Sequence, residues 1–251
     1  MKVSNKVPDV TIFFWLIKIL ATTVGETAAD FLATRLHLGL VATSAIMSAA
    51  FAIALFVQMR GTRYIRGVYW TVVVFISVVG TLLSDNLVDN LGVRLQTTTI
   101  AFAIILAVVF ALWWTSEKTL SVHAITTRKR EAFYWAAILF TFALGTSAGD
   151  LVAESLQLGY ALSAVLFASA IGLTALAYYA FRVNGVVAFW IAYVLTRPLG
   201  ASMGDLLSQP VKDGGVGLGT TLTSVAFLTT IVALVLYLNG RQHRFAGTAQ
   251  L

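Results

Sequence analysis

The chain has no cysteine, three prolines, three histidines and only 11% charged residues in 251 positions. Without cysteine there is neither a disulfide framework nor thiolate ligation of a metal. So few charges stand against 59% hydrophobic residues and a mean hydropathy of +0.86, leaving too little polar surface to clothe a water-soluble fold. The apolar residues run in long stretches, such as Ile100 to Trp114, Ala161 to Phe181 and Thr221 to Leu238. As helices, these cross most or all of a hydrocarbon core. Lys2 and Lys6 precede the first such run as they would in a signal peptide. No small-residue cleavage site and soluble domain follow, so the run reads as a first span. The formal charge of +6 does not point to nucleic acid, because the basic residues sit in short loops between apolar runs rather than in one aromatic-interleaved patch.

An aromatic-Trp pair opens four apolar runs, at Phe14-Trp15, Tyr69-Trp70, Tyr134-Trp135 and Phe189-Trp190. A glycine stands ten residues after each Trp (Gly25, Gly80, Gly145, Gly200) and an aspartate fifteen after (Asp30, Asp85, Asp150, Asp205). The pattern W-x9-G-x4-D thus occurs four times, with Trp-to-Trp intervals of 55, 65 and 55 residues, as two rounds of duplication would leave it. Each unit continues past a turn near Gly39, Gly92, Gly159 or Gly219 into a second apolar run. The expectation is an all-α integral membrane protein of eight transmembrane helices, arranged as four tandem helical hairpins. The spans read as 10–33, 40–59, 68–89, 97–115, 132–155, 160–182, 186–208 and 219–239, in a single membrane domain with repeats at about 10–60, 66–116, 130–183 and 185–240.

Basic residues orient the spans. With a cytoplasmic N-terminus, the inside segments carry Lys2, Lys6, Arg60, Arg63, Arg66, Lys118, Arg128, Lys129, Arg130, Arg182, Arg241 and Arg244, and the outside segments only Arg35, Arg94 and Lys212. That bias places both termini in the cytoplasm. Each unit holds an even number of spans, so all four enter the membrane the same way and are related by a pseudo-twofold or pseudo-fourfold axis along the membrane normal, unlike inverted repeats.

These features resemble a family of bacterial membrane-anchored proteins of unknown function, built from four tandem repeats of two transmembrane segments with a characteristic Trp. Trp15, Trp70, Trp135 and Trp190, with the glycine and aspartate after each, carry the resemblance over about residues 10 to 240. It implies the architecture and a bacterial inner-membrane location, and it implies no activity.

On an odd-numbered helix, positions 3, 7, 11, 15 and 19 after the Trp form one stripe, since steps of four residues drift only about 40° around the axis. The stripes are Lys18, Thr22, Glu26, Asp30, Thr34; Val73, Ser77, Thr81, Asp85, Asp89; Ile138, Phe142, Thr146, Asp150, Glu154; and Tyr193, Arg197, Ala201, Asp205, Gln209. Seven of the eleven acidic residues lie here, with two bases. Ionisable groups in hydrocarbon face a bundle interior or a water-filled cavity and are met by partners, protons, water or cations. At 1.5 Å per residue each aspartate stands about 22 Å up the axis from its Trp, in the outer half of the membrane. Lys18 reads as a charge partner of Asp30 or Glu26, and Arg197 as the partner of Asp205. Pro198 is expected to bend the seventh helix, and the four Trp to be interfacial anchors at the cytoplasmic face. Glycines ten after Trp read as close-packing positions. Asp89 and Glu154 also fit solvated helix ends.

Other chemistry is missing. His37, His123 and His243 fall in loops or the tail, away from a haem site in the bundle. The cluster Gly214, Gly215, Gly217, Gly219 lacks the Lys-Ser/Thr of a P-loop, and neither GxSxG nor HExxH occurs. The chain therefore reads as a non-enzyme: a secondary transporter or channel for a small hard cation such as manganese, magnesium, calcium or a proton. Asp30, Asp85, Asp150 and Asp205 would form the metal site, and Glu26, Asp89, Glu154, Thr22, Ser77, Thr81 and Thr146 would line the path. Its partners would be the lipid bilayer and the cation, with homo-oligomerisation open and no cofactor beyond a bound divalent ion. The alternative is a structural or partner-binding subunit whose polar stripes only pack the bundle. A weaker alternative is a membrane-embedded enzyme acting at the outer face.

Overall fold

The computed structural model describes residues 5–248, with side chains described as far as Gly240; Lys2 and the side chains of Arg241, His243 and Arg244 lie outside the described residues. Among the described residues there are eight α-helices and no strand: α1 (Ile12–Asp30), α2 (Gly39–Arg60), α3 (Arg66–Asp85), α4 (Leu95–Glu117), α5 (Arg128–Asp150), α6 (Gly159–Phe181), α7 (Gly185–Ser208) and α8 (Thr220–Thr248). All eight are long and apolar enough to cross a membrane, and the spans they give, counted through the π turns that follow α1, α3 and α5 and to Gly240 in α8, fall within four residues of those read from the sequence. Side-chain caps start three of the inner helices. Thr11 accepts from the Phe14 N–H at 3.4 Å, Thr127 from Arg130 at 3.2 Å, and Asn184 from Val186 at 2.9 Å and Val187 at 3.3 Å. The hairpin turn of every repeat contains a glycine with a positive φ, Gly39, Gly92, Gly159 and Gly219, where a Cβ would be strained.

The repeats close into two concentric rings. The odd helices form the inner ring, with α1 packed on α3, α3 on α5, α5 on α7, and α7 back on α1. Each even helix leaves its own repeat and packs on the next inner helix: α2 on α3, α4 on α5, α6 on α7, and α8 on α1. No hairpin buries its apolar face alone, so the unit that folds is the closed set of four. Side chains follow the same division. The outer helices present Ile53, Phe56, Ile100, Leu162, Leu173 and Leu236 outward, while inner residues such as Ile17, Val73, Ile76, Ile138 and Phe142 are fully enclosed.

Two contacts pass around the inner ring with fourfold regularity. The aromatic before each Trp meets the Trp of the next repeat: Phe14–Trp70 at 5.8 Å, Tyr69–Trp135 at 5.4 Å, Tyr134–Trp190 at 6.2 Å, and Phe189–Trp15 closing the circle at 5.6 Å between centroids. The glycine ten after each Trp meets the residue seven after the next Trp, Gly25 against Ser77, Gly80 against Phe142, Gly145 against Arg197 and Gly200 against Thr22. The glycines are therefore close-packing positions, as expected.

The repeat tryptophans are not interfacial anchors. Trp70, Trp135 and Trp190 are buried and Trp15 half-buried, because their helices form the inner ring and the outer ring shields them from lipid. The exposed aromatics toward that end include Phe56, Trp114, Tyr178, Tyr179, Phe181 and Tyr237, on the outer helices α2, α4, α6 and α8, where a bilayer interface would meet them.

Candidate functional site

The four polar stripes converge on the axis of the inner ring and stack in layers. At the Trp end, called basal here, Phe14, Tyr69, Tyr134 and Phe189 fill the cross-section, with the Tyr69 and Tyr134 hydroxyls 2.6 Å apart. Above them lie Lys18, Val73, Ile138 and Tyr193, all with 1% exposure or less.

The next two turns are organised by one side chain. Arg197 has no exposed surface and reaches from α7 to each of the other three inner helices. Its Nη1 donates to the Thr22 carbonyl of α1 at 2.9 Å, and its Nη2 to Glu26 Oε2 of α1 at 3.0 Å, to Thr146 Oγ1 of α5 at 2.6 Å, and to Thr81 Oγ1 of α3. A planar guanidinium with several fixed donors suits this task, and the fourth repeat makes room by carrying Ala201 where the others carry Glu26, Thr81 and Thr146. The expected pairing of Arg197 with Asp205 is corrected to Glu26: the arginine lies two turns below Asp205 on the same helix and leans across the axis to the layer between.

Lys18 also departs from expectation. Among the described residues no carboxylate lies within 4 Å of its Nζ, which donates to Thr196 Oγ1 at 2.5 Å and sits 3.9 Å from the Tyr193 ring centroid and 5.1 Å from that of Phe142. Glu26, its expected partner, is taken by Arg197. The α7 helix continues through Pro198, whose ring packs beside Gly145.

Above the arginine stand the four aspartates. Asp205 is buried and Asp30, Asp85 and Asp150 are half-buried, while Asp89 and Glu154 reach the surface. Gln209 Nε2 donates to Asp30 Oδ2 at 3.3 Å, and Tyr160 to Glu154 Oε1 at 3.3 Å. Each repeat aspartate lies in the electrostatic field of Glu26 and of at least one other acid. In the first three repeats the α-helix passes into a π-helical turn immediately after the aspartate, at Phe31–Arg35, Asn86–Asn90 and Leu151–Ser155. A π turn widens the helix and redirects the side chains beyond it, and such turns recur at functional sites. α7 lacks this turn and ends at Ser208.

The structure thus gathers Thr22, Glu26, Thr81, Thr146 and Arg197 into one hydrogen-bonded hub and holds Asp30, Asp85, Asp150 and Asp205 above it as a looser group. Ser77 is buried against Gly25. Among the described residues no three His, Asp or Glu side chains come close enough to hold one metal ion. The π turns and the role of Arg197 as a hub were missed by sequence reasoning. The arginine had one signal, an alanine in its own stripe where the other three carry oxygen.

A closed double ring of eight apolar helices, with a polar column enclosed by the inner four, defines a polytopic membrane-type helical protein assembled from four repeats. The chain belongs to the family described as Repeat of Unknown Function (DUF347), whose repeat matches at residues 13–64, 68–119, 133–184 and 188–243. No curated protein and no solved structure matches the chain.

Proposed function

We propose that this protein is a secondary transporter for a small hard cation, set in the bacterial inner membrane with both termini cytoplasmic and the aspartates toward the outer face. The observation that carries the reading is the set of four aspartates, one from each inner helix, above the Arg197–Glu26 pair, where carboxylates turned away from lipid have every use for a cation or proton. A column blocked by the Arg197 hub and the aromatic layer favours a carrier over an open channel. Carboxyl and hydroxyl oxygens favour magnesium, manganese or calcium over copper(I).

Thermal unfolding of the purified protein with manganese, magnesium, calcium, zinc or sodium tests it. One ion should raise the midpoint selectively, since saturation to about 100 times its dissociation constant adds about 2.7 kcal/mol to the native state. Asp85→Asn and Asp150→Asn should abolish that shift while unfolding cooperatively. If no ion acts and the variants are merely less stable, the second reading holds: a structural subunit. That reading draws on the hub, where Arg197 already engages Thr22, Glu26, Thr81 and Thr146.

A further inference from the structure

At the basal end of the bundle a stretch of chain that is not helical packs into the same apolar cluster as the aromatic layer. Residues 5–10 cross the bundle between the end of α2 and the loop 118–127 that leads into α5. Asn5 Nδ2 donates to the Val122 carbonyl at 3.1 Å, and the Lys6 N–H to that of Ile125 at 3.0 Å. The Lys6 ammonium reaches inward to Glu131 Oε2 at 2.6 Å and to the Met59 carbonyl at 3.3 Å. Gln58 ties both partners, donating to Glu131 Oε1 at 3.0 Å and to the Lys6 carbonyl at 3.3 Å. Lys6, Val7, Ile125 and Glu131 are all buried, and Val7 and Ile125 belong to the same apolar cluster as the Tyr69 and Tyr134 layer.

An ion pair is a costly way to seal such a place. Desolvating an ammonium and a carboxylate offsets most of what their attraction returns, and apolar side chains of the same volume would close the end as well or better. What the pair adds is a second favourable state. When the segment lifts away, both charges regain water together, whereas an apolar plug would expose its own surface. Glu131 stands in the first turn of α5, where the helix dipole and water would keep its carboxylate stable once Lys6 has left.

We propose that residues 5–10 form a detachable strap, latched by Lys6, Glu131 and Gln58, that holds the aromatic layer closed through Val7 and Ile125, and whose lifting lets that layer part and so gates the polar column from the basal side. Its use as a gate rests on the transport reading; its lifting can be measured with no cargo present.

The absence of cysteine makes the 251-residue chain a clean background for single reporters. Val7→Cys reports on the strap, and Val73→Cys on the column between the aromatic layer and the Arg197 hub. Each is reacted with a small water-soluble methanethiosulfonate. With the latch intact both should react slowly. Lys6→Met or Glu131→Gln should each speed both reporters at least about tenfold, because each strands one partner of a buried pair. The double substitution should be no faster than the faster single one, because the pair acts as a unit. Unchanged labelling of Val7→Cys overturns the proposal, and so does fast labelling there with Val73→Cys still protected. Single effects that multiply in the double variant also overturn it, since they signal general loosening. A failed cation screen would remove the transport reading and leave these labelling rates unaffected.

Discussion

Arg197→Met should cost about 3–5 kcal/mol of stability and lower the unfolding midpoint by roughly 10 °C, read from tryptophan fluorescence in detergent. From α7 the guanidinium bonds to all three other inner helices, and its loss leaves the Glu26 carboxylate buried without its cation. The Thr22 carbonyl and the hydroxyls of Thr81 and Thr146 lose a donor at the same time, each a further desolvation cost. Arg197→Lys should recover little, because one ammonium cannot present two nitrogens in the fixed geometry that meets α1, α3 and α5 at once. Pairing Arg197→Met with Glu26→Met should be less damaging than Arg197→Met alone, since it removes the stranded charge. If the double variant is as unstable as the sum of both singles, the pair is not the keystone described here.

The hub shows where sequence reading ended. A period of four residues after each Trp was enough to place Thr22, Glu26, Thr81, Thr146 and Arg197 on facing stripes, and eight apolar runs with short Gly turns were enough to give the helices. Partner choice was not legible. Stripe positions fix which residues face the axis, but a long side chain such as Arg197 selects its layer by the room available across the ring, and Ala201 supplies that room only once the four helices are closed. The tryptophans failed for a related reason. An aromatic pair at the start of an apolar helix reads the same whether that helix faces lipid or sits behind another ring, and only the handover of each even helix to the next repeat decides it. The strap was hidden because Lys6 and Val7 lead directly into the first apolar run. The π turns after Asp30, Asp85 and Asp150 have no simple signature in residue type.

Alanine at the repeat glycines should separate ring packing from any role in a cargo path. Gly25, Gly80, Gly145 and Gly200 each lie where an added Cβ would overlap the neighbouring helix, and the obstructing atoms include backbone at Gly25, Gly80 and Gly200. Backbone cannot rotate aside, so each Gly→Ala should cost about 1–3 kcal/mol in the same thermal assay. Gly67→Ala and Gly172→Ala, with open space around their Cβ positions, should leave the midpoint nearly unchanged. Gly145→Ala carries a further consequence, because its Cβ would press on the Arg197 stem and on the Pro198 ring. It should therefore displace the guanidinium from its four partners as well as separate α5 from α7. Combined with Arg197→Met it should cost less than the sum of the two single changes, since once the guanidinium is gone the alanine has no hub left to displace. Strict additivity would mean that Gly145 and Arg197 act independently, and the close approach of α5 to α7 would then not be what positions the hub.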